Sequence, residues 1–222
     1  MNTWHLLQSG KGDGTFNMAL DEALFETAAQ RGRPVLRMYD WTQPCATFGY
    51  SQPYETVAAA TALRPLIRRI TGGGLVPHGA DWTYSLVFPP QHEWAELSAS
   101  ASYERLHAWL RDAFSAMQIE ATLAQDCRRP KPGECFEGHE LHDLLWRGRK
   151  IAGAAQRRNR NGLLIQGSVQ PPSNTRCADW VEAMTHACGG TWVPLELNAA
   201  LQEHARELAG TKYSSTEHNQ RR

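Results

Sequence analysis

No run of apolar residues in this chain approaches the length that crosses a membrane. The first residues, MNTWHLLQSGKGDG, carry neither the basic start nor the apolar core of a secretory leader. Charge of one sign is not in surplus either. The 23 Lys and Arg balance 23 Asp and Glu, so nothing global marks a nucleic-acid or anionic-membrane partner. Cys45, Cys127, Cys135, Cys177 and Cys188 number five, with no C-x-x-C among them. An odd count at irregular spacing argues against a disulfide framework and a structural zinc site. Internal repeats and low-complexity linkers are missing as well. The expectation is a cytoplasmic protein in a reducing compartment, with thiols available for chemistry.

What is there suits one domain, since 222 residues can bury a full core without metals or cross-links. An apolar period predicts a helix over 16–30, with Asp21, Glu22 and Glu26 on its other side. A second helix is predicted over 103–117, where Leu106, Trp109, Leu110, Ala113, Phe114 and Met117 form a core-facing stripe. Strands are expected at 4–7, 35–39, 46–50, 67–70, 82–88 and 119–123, with loops at 9–15 and over the polar run after Phe88. A short helix is expected over 54–63. Residues 141–146 and 149–157 read as a hairpin turning at Arg147-Gly148, continued by a strand over 163–169. Helices at 178–187 and 194–208 close the chain. Hairpins with interspersed helices, rather than regular βαβ units, give an α+β single domain.

Two stretches could carry chemistry. In IRRITGGGLVPH, three glycines (Gly72, Gly73, Gly74) stand between basic Arg68 and Arg69 and His78. A backbone free to take positive φ there can present N–H groups to an anion or an acyl carbonyl; a tight turn with solvated arginines is the plain alternative. The other stretch is residues 125–140, a long loop with no hydrophobic period that holds Cys135. Lys150 follows fifteen residues later, in GRKIAGAA. If the loop folds over that strand, the two could meet as nucleophile and base. A small buried thiol and a solvated lysine are the competing readings. Cys135, His139 and His142 make C-x3-H-x2-H, which has no fourth ligand and no usual zinc spacing, so no metal is expected.

Taken together, FNMALDEAL, PVLRMYDW, FGYSQ, RRITGGGLVPH, WTYSLV, GRKIAGAAQRR and TKYSS occur in this order nearly end to end. In that set the chain resembles the lipoate–protein ligase A/B family, which shares its fold with biotin protein ligases. The resemblance implies a mixed, largely antiparallel sheet with flanking helices, and residues 1–222 as one catalytic domain without the C-terminal accessory domain of typical bacterial ligases. It also implies acyl transfer onto a lysine of a lipoyl domain. Within the family, ligases activate free lipoate with ATP and Mg2+, whereas octanoyltransferases and amidotransferases work through a cysteine thioester and need no cofactor. Cys135-Phe136 stands where the cysteine-dependent branch carries its nucleophile, so that branch is expected. Cys135 and Lys150 would then be catalytic. Arg69, Gly72, Gly73, Gly74, His78, Gly153, Ala154, Gln166, Gly167 and Ser168 would bind the acyl substrate, with backbone N–H groups near Gly153 as oxyanion donors. Gln166 takes the place of the histidine in the family's H-G-[ST] strand motif, and the glycine loop reads closer to the ligase pattern. Octanoyl-acyl carrier protein is the expected donor to a monomeric enzyme. The lipoyl domain of a glycine cleavage H protein or a dehydrogenase E2 would be the acceptor. Arg68, Arg69 and the basic run from Arg147 to Arg160 would steer acidic carriers.

Overall fold

The computed structural model describes residues 3–128 and 138–221. The first half comprises β1 (Thr3–Gly12), α1 (Gly14–Glu26), α2 (Ala28–Arg31), β2 (Val35–Trp41), β3 (Cys45–Phe48), α3 (Tyr54–Ala60), β4 (Leu66–Arg68), β5 (Val76–His78) and β6 (Trp82–Phe88). There follow α4 (Glu93–Glu96), α5 (Ala99–Ala116), β7 (Thr122–Leu123), β8 (Leu144–Trp146), β9 (Arg149–Asn159) and β10 (Gly162–Val169). The last elements are α6 (Cys177–Ala187), β11 (Thr191–Pro194), α7 (Ala199–Leu208), a π-helical turn (Ala209–Tyr213) and α8 (Thr216–Gln220).

Eight strands form one sheet in the order β11-β1-β2-β6-β10-β9-β8-β7. β11, β1 and β2 run parallel and every later pairing is antiparallel, the mixed α+β arrangement expected. Side chains alternate across this sheet with period two. On β2, Leu36 and Met38 join a core with α5 and α6, while Val35 and Tyr39 join another with α1 and α7. Both faces are therefore covered. A small second sheet, β4-β3-β5, carries the glycine loop on its rim.

Local chemistry sets the helix starts. Asp13 caps α1 by accepting the Phe16 N–H at 2.8 Å, and Ser98 caps α5 by accepting from Ala101. The α5 stripe, Leu106, Trp109, Leu110, Ala113 and Phe114, packs into the core as its spacing predicts.

Several expectations need correction. Residues 9–12 continue β1 rather than forming a loop, because Lys11 and Gly12 pair with Asp40 and Trp41 beyond a bulge. The polar run after Phe88 contains α4 and the first turn of α5, started by caps at His92 and Ser98 that hydrophobic periodicity does not register. The helix expected over 194–208 begins only at Ala199; Thr191–Pro194 is instead a strand parallel to β1. Asp21 and Glu22 are not on a solvent face. Both are buried because α1 lies between the sheet and the α7–π-turn segment, where each carboxylate finds partners.

Candidate active site

A cavity of about 420 Å3 opens between the glycine loop and the β9–β10 hairpin. Leu75, Val76, Ile151, Ala152 and Ala155 supply apolar wall, and Arg69, His78, Tyr103, Lys150, Gln166 and Ser168 supply polar groups. The expected site residues Gly73, Gly74, Gly153, Ala154 and Gly167 line it too. Gly72 does not; its carbonyl accepts from Arg69 at 2.7 Å. Arg128 and Gly138, the described residues on either side of the 129–137 segment, both reach the cavity. Arg128 and His139 exchange two backbone hydrogen bonds of 2.8 and 2.9 Å there. Cys135 lies outside the described residues.

Lys150 reaches the cavity through an irregularity in β9. Leu145 pairs with Lys150 but Leu144 pairs with Ala152, so β9 holds one extra residue between them. In a regular strand, residues 150 and 153 would point to opposite faces; the bulge brings them together. A Cβ at Gly153 would lie 2.7 Å from Lys150 Cε. The ammonium then meets Asp143 at 2.6 Å, whose side chain is fully buried. Tyr103 donates its hydroxyl to the same carboxylate, the Glu140 N–H donates at 2.7 Å, and the Ala154 N–H is 3.4 Å from Tyr103 Oη.

The opposite wall is a hydrogen-bonded chain. Asp81 faces His78 Nδ1 at 2.8 Å and accepts from Ser168 and Thr83 at 2.7 and 3.0 Å. Burial pushes its carboxyl upward, but the His78, Ser168 and Gly79 donors outweigh that and hold it below the usual range. The other ring nitrogen of His78, Nε2, lies 2.9 Å from the Thr47 hydroxyl, and the ring stacks on Trp41 with centroids 4.0 Å apart. Thr47 in turn accepts from Arg69 at 3.2 Å. Arg69 also donates to the Gly72 and Gly74 carbonyls, and burial lowers its pKa to about 10. It thereby fixes the glycine loop from inside. Only Gly73 of the three glycines takes a positive φ, +80°, and a side chain there would press on Arg69 and Ala155.

At the base of the cavity Gln166 spends its amide on the protein. It accepts from Thr71 at 2.7 Å and donates to Asp21 at 2.7 Å. Asp21 also holds Arg37, Tyr39 and Ser85, so the FNMALDEAL and VLRMY segments meet at one buried carboxylate. Gly167 beside it faces Tyr84, whose ring occupies the space a methyl would take, 2.2 Å from the nearest carbon.

Arg68 has no role at the surface. It is buried and donates to the carbonyls of Tyr50, Gln52, His218, Asn219 and Arg221, which removes it from any steering of carriers. The TKYSS segment acts nearby: Lys212 and Tyr213 both bind the buried Glu22, at 2.7 and 2.8 Å.

Among the described thiols, burial raises Cys45 to about 12 and Cys177 to about 11, and Cys188 is also raised by burial. None of these three is poised as a thiolate. Cys127 is exposed and accepts from the Leu141 N–H. His139 and His142 face Asp126 and Glu104 instead of each other. Among the described residues no three metal-binding side chains cluster, and no helix is long and apolar enough to cross a membrane.

Sequence reasoning did not single out Asp143, Tyr103, Asp81, Thr47 or Thr71. The signal for Asp143 was its place across the hairpin from Gly153, which becomes visible only once the bulge is known.

Residues 13–182 match the family model described as the lipoyl protein ligase A/B catalytic domain. Octanoyltransferase LipM of Bacillus cereus is 31% identical over 179 residues, which are 75% of this chain and 64% of that protein. The Oceanobacillus iheyensis octanoyltransferase LipM is 34% identical over 173 residues, 75% of this chain and 63% of its own length. The chain thus spans under two thirds of the curated relatives it matches. A lipoate-protein ligase A crystal structure with bound ATP superposes with a TM-score of 0.80 at 19% identity, covering 98% of each chain. At that identity the likeness concerns the fold.

Proposed function

Because the chain belongs to the lipoyl protein ligase A/B catalytic-domain family, we propose that it is an acyltransferase working through a cysteine thioester. An octanoyl (or lipoyl) group passes to Cys135 and then to a lysine of a lipoyl domain. The observation that carries this reading is the convergence of Lys150, Arg128 and Gly138 on one cavity. Cys135 itself lies outside the described residues, three positions before Gly138 in the chain.

In the first half-reaction Cys135 attacks the carbonyl of octanoyl-acyl carrier protein as a thiolate, its proton already held on the Lys150 ammonium. The carrier's thiolate leaves and takes up that proton, and the acyl-enzyme thioester remains. In the second half-reaction the acceptor amine attacks the thioester, Lys150 takes its proton, and an amide forms as the Cys135 sulfur departs. The chain of the acyl group lies against Leu75, Val76, Ile151 and Ala155, while Arg69, Gly73 and Gly74 hold the loop above it. Gln166 and Ser168 act by shape and by bracing, because their polar atoms already have partners. This route needs no cofactor. The lipoyl domain of a glycine cleavage H protein or a dehydrogenase E2 is the proposed acceptor, and the enzyme acts as a monomer.

The glycine loop, RRITGGGLVPH, favours a second reading: ATP-dependent lipoate ligation, with ATP and Mg2+ as co-reactants. Transfer from octanoyl-acyl carrier protein without ATP, lost in Cys135→Ala, supports the thioester route. Attachment of free lipoate that requires ATP and survives Cys135→Ala selects the ligase route.

A further inference from the structure

Lys150 is a flexible side chain placed at a cavity wall, and its position has to be fixed by something. We propose that Asp143 and Tyr103 are its positioning residues, a buried carboxylate and phenol that hold the ammonium over Gly153 for proton transfer. This inference rests on the proposed role of Lys150.

Three donors share the Asp143 carboxylate: Lys150 Nζ at 2.6 Å, the Tyr103 hydroxyl, and the Glu140 N–H at 2.7 Å. The Asp143 backbone is fixed as well. Its carbonyl accepts from Ala124 and its N–H donates to Glu140, at 2.9 and 3.0 Å. Tyr103 is locked on α5, its ring packed on His107 with centroids 4.2 Å apart. Burial, followed by the neighbouring Asp143, pushes the Tyr103 phenol up, so it remains a donor.

Energetics argue against a purely structural purpose. A buried ion pair is often no more stabilising than apolar residues of similar volume, because charge loses its water on burial, and the Asp143 side chain is fully buried. This pair also faces the cavity on one side, where Lys150 is its accessible member. A lysine left alone would spread over many rotamers, and holding it in one orientation lowers the entropic cost of reaching the reactive geometry. The same carboxylate grips the backbone at Glu140, five residues after Cys135 in the chain. Asp143 therefore holds both the candidate base and the backbone at Glu140.

The test measures transfer from octanoyl-acyl carrier protein to a lipoyl domain for Asp143→Asn, Tyr103→Phe, Lys150→Ala and the double variant Asp143→Asn/Lys150→Ala. Misplacing the base should lower kcat about 100-fold in Asp143→Asn with little change in donor KM. Tyr103→Phe, which keeps the ion pair, should lose about fivefold in kcat, the worth of one hydrogen bond. The double variant should be no slower than Lys150→Ala, because Asp143 acts through Lys150. An unchanged kcat in Asp143→Asn, or a double variant slowed by the product of both effects, overturns the inference. If Asp143→Asn does not fold, Tyr103→Phe decides, and wild-type kcat there overturns it. Full activity in Lys150→Ala would overturn the role of Lys150 and this inference with it. Loss in Lys150→Ala alongside full activity in Asp143→Asn would overturn this inference alone.

Discussion

A methyl group on Gly153 would stand 2.7 Å from Cε and 2.8 Å from Nζ of Lys150. Gly153 keeps an ordinary φ, so the backbone allows alanine, whose methyl would displace the end of the lysine side chain. Gly153→Ala should therefore move the ammonium without unfolding β9. Transfer activity is expected to fall about tenfold or more, while the thermal midpoint changes little. Activity at the wild-type level would mean that Lys150 need not sit where it does.

The buried amide of Gln166 joins Thr71 to Asp21. Gln166→Leu keeps the volume but leaves the Thr71 hydroxyl without its acceptor and takes one donor from Asp21, which still holds Arg37, Tyr39 and Ser85. Denaturant unfolding should show a loss of about 3 kcal/mol, the cost of leaving buried polar groups unpaired. A loss below the error of the measurement would show that water or rearrangement satisfies both.

Much of this architecture is legible in the sequence. The α5 stripe, the turn at Arg147-Gly148 and the β6 run WTYSLVF follow from period and turn chemistry alone, and the ordered motifs pointed to the family. The site was legible in part. Gly73, Gly74, His78 and Lys150, singled out from the sequence, line the cavity, but their supporting residues were not readable. Asp21 and Glu22 look like the solvent face of an amphipathic helix until Arg37, Lys212 and Tyr213 arrive from elsewhere in the chain. Arg68 looks like a surface cation until the last residues close over it. Lys150 and Gly153 have opposite parity in a regular strand, and one extra residue in β9 reverses that. Each miss is a long-range partner or a register shift, which local periodicity does not encode.

Burial lowers the His107 pKa from 6.5 to about 4. The neutral ring is native, whereas the unfolded chain binds a proton at the ordinary value, so the unfolded state holds more protons between those limits. Stability from this group is complete above about pH 6.5 and falls as pH drops toward 4, by up to about 3 kcal/mol. Thermal midpoints from pH 7 to pH 4.5 should fall more gently in His107→Gln than in the parent. Parallel curves would contradict the assignment.

Arg68 gathers the carbonyls of His218, Asn219 and Arg221. Arg68→Ala should release α8, seen as faster amide hydrogen exchange over 216–220, with about 3 kcal/mol lost for the charged hydrogen bonds. Because Arg68 is buried, the salt dependence of transfer should be unaltered. A changed salt dependence would return Arg68 to the surface role its sequence suggests.

Acyl transfer through Cys135 leaves a covalent intermediate that intact mass can detect. The protein is incubated with octanoyl-acyl carrier protein, without ATP, and then weighed. One added octanoyl mass is expected, which hydroxylamine removes and Cys135→Ala never acquires. No adduct under these conditions, together with ATP-dependent loading of a lipoyl domain from free lipoate, would contradict transfer through Cys135.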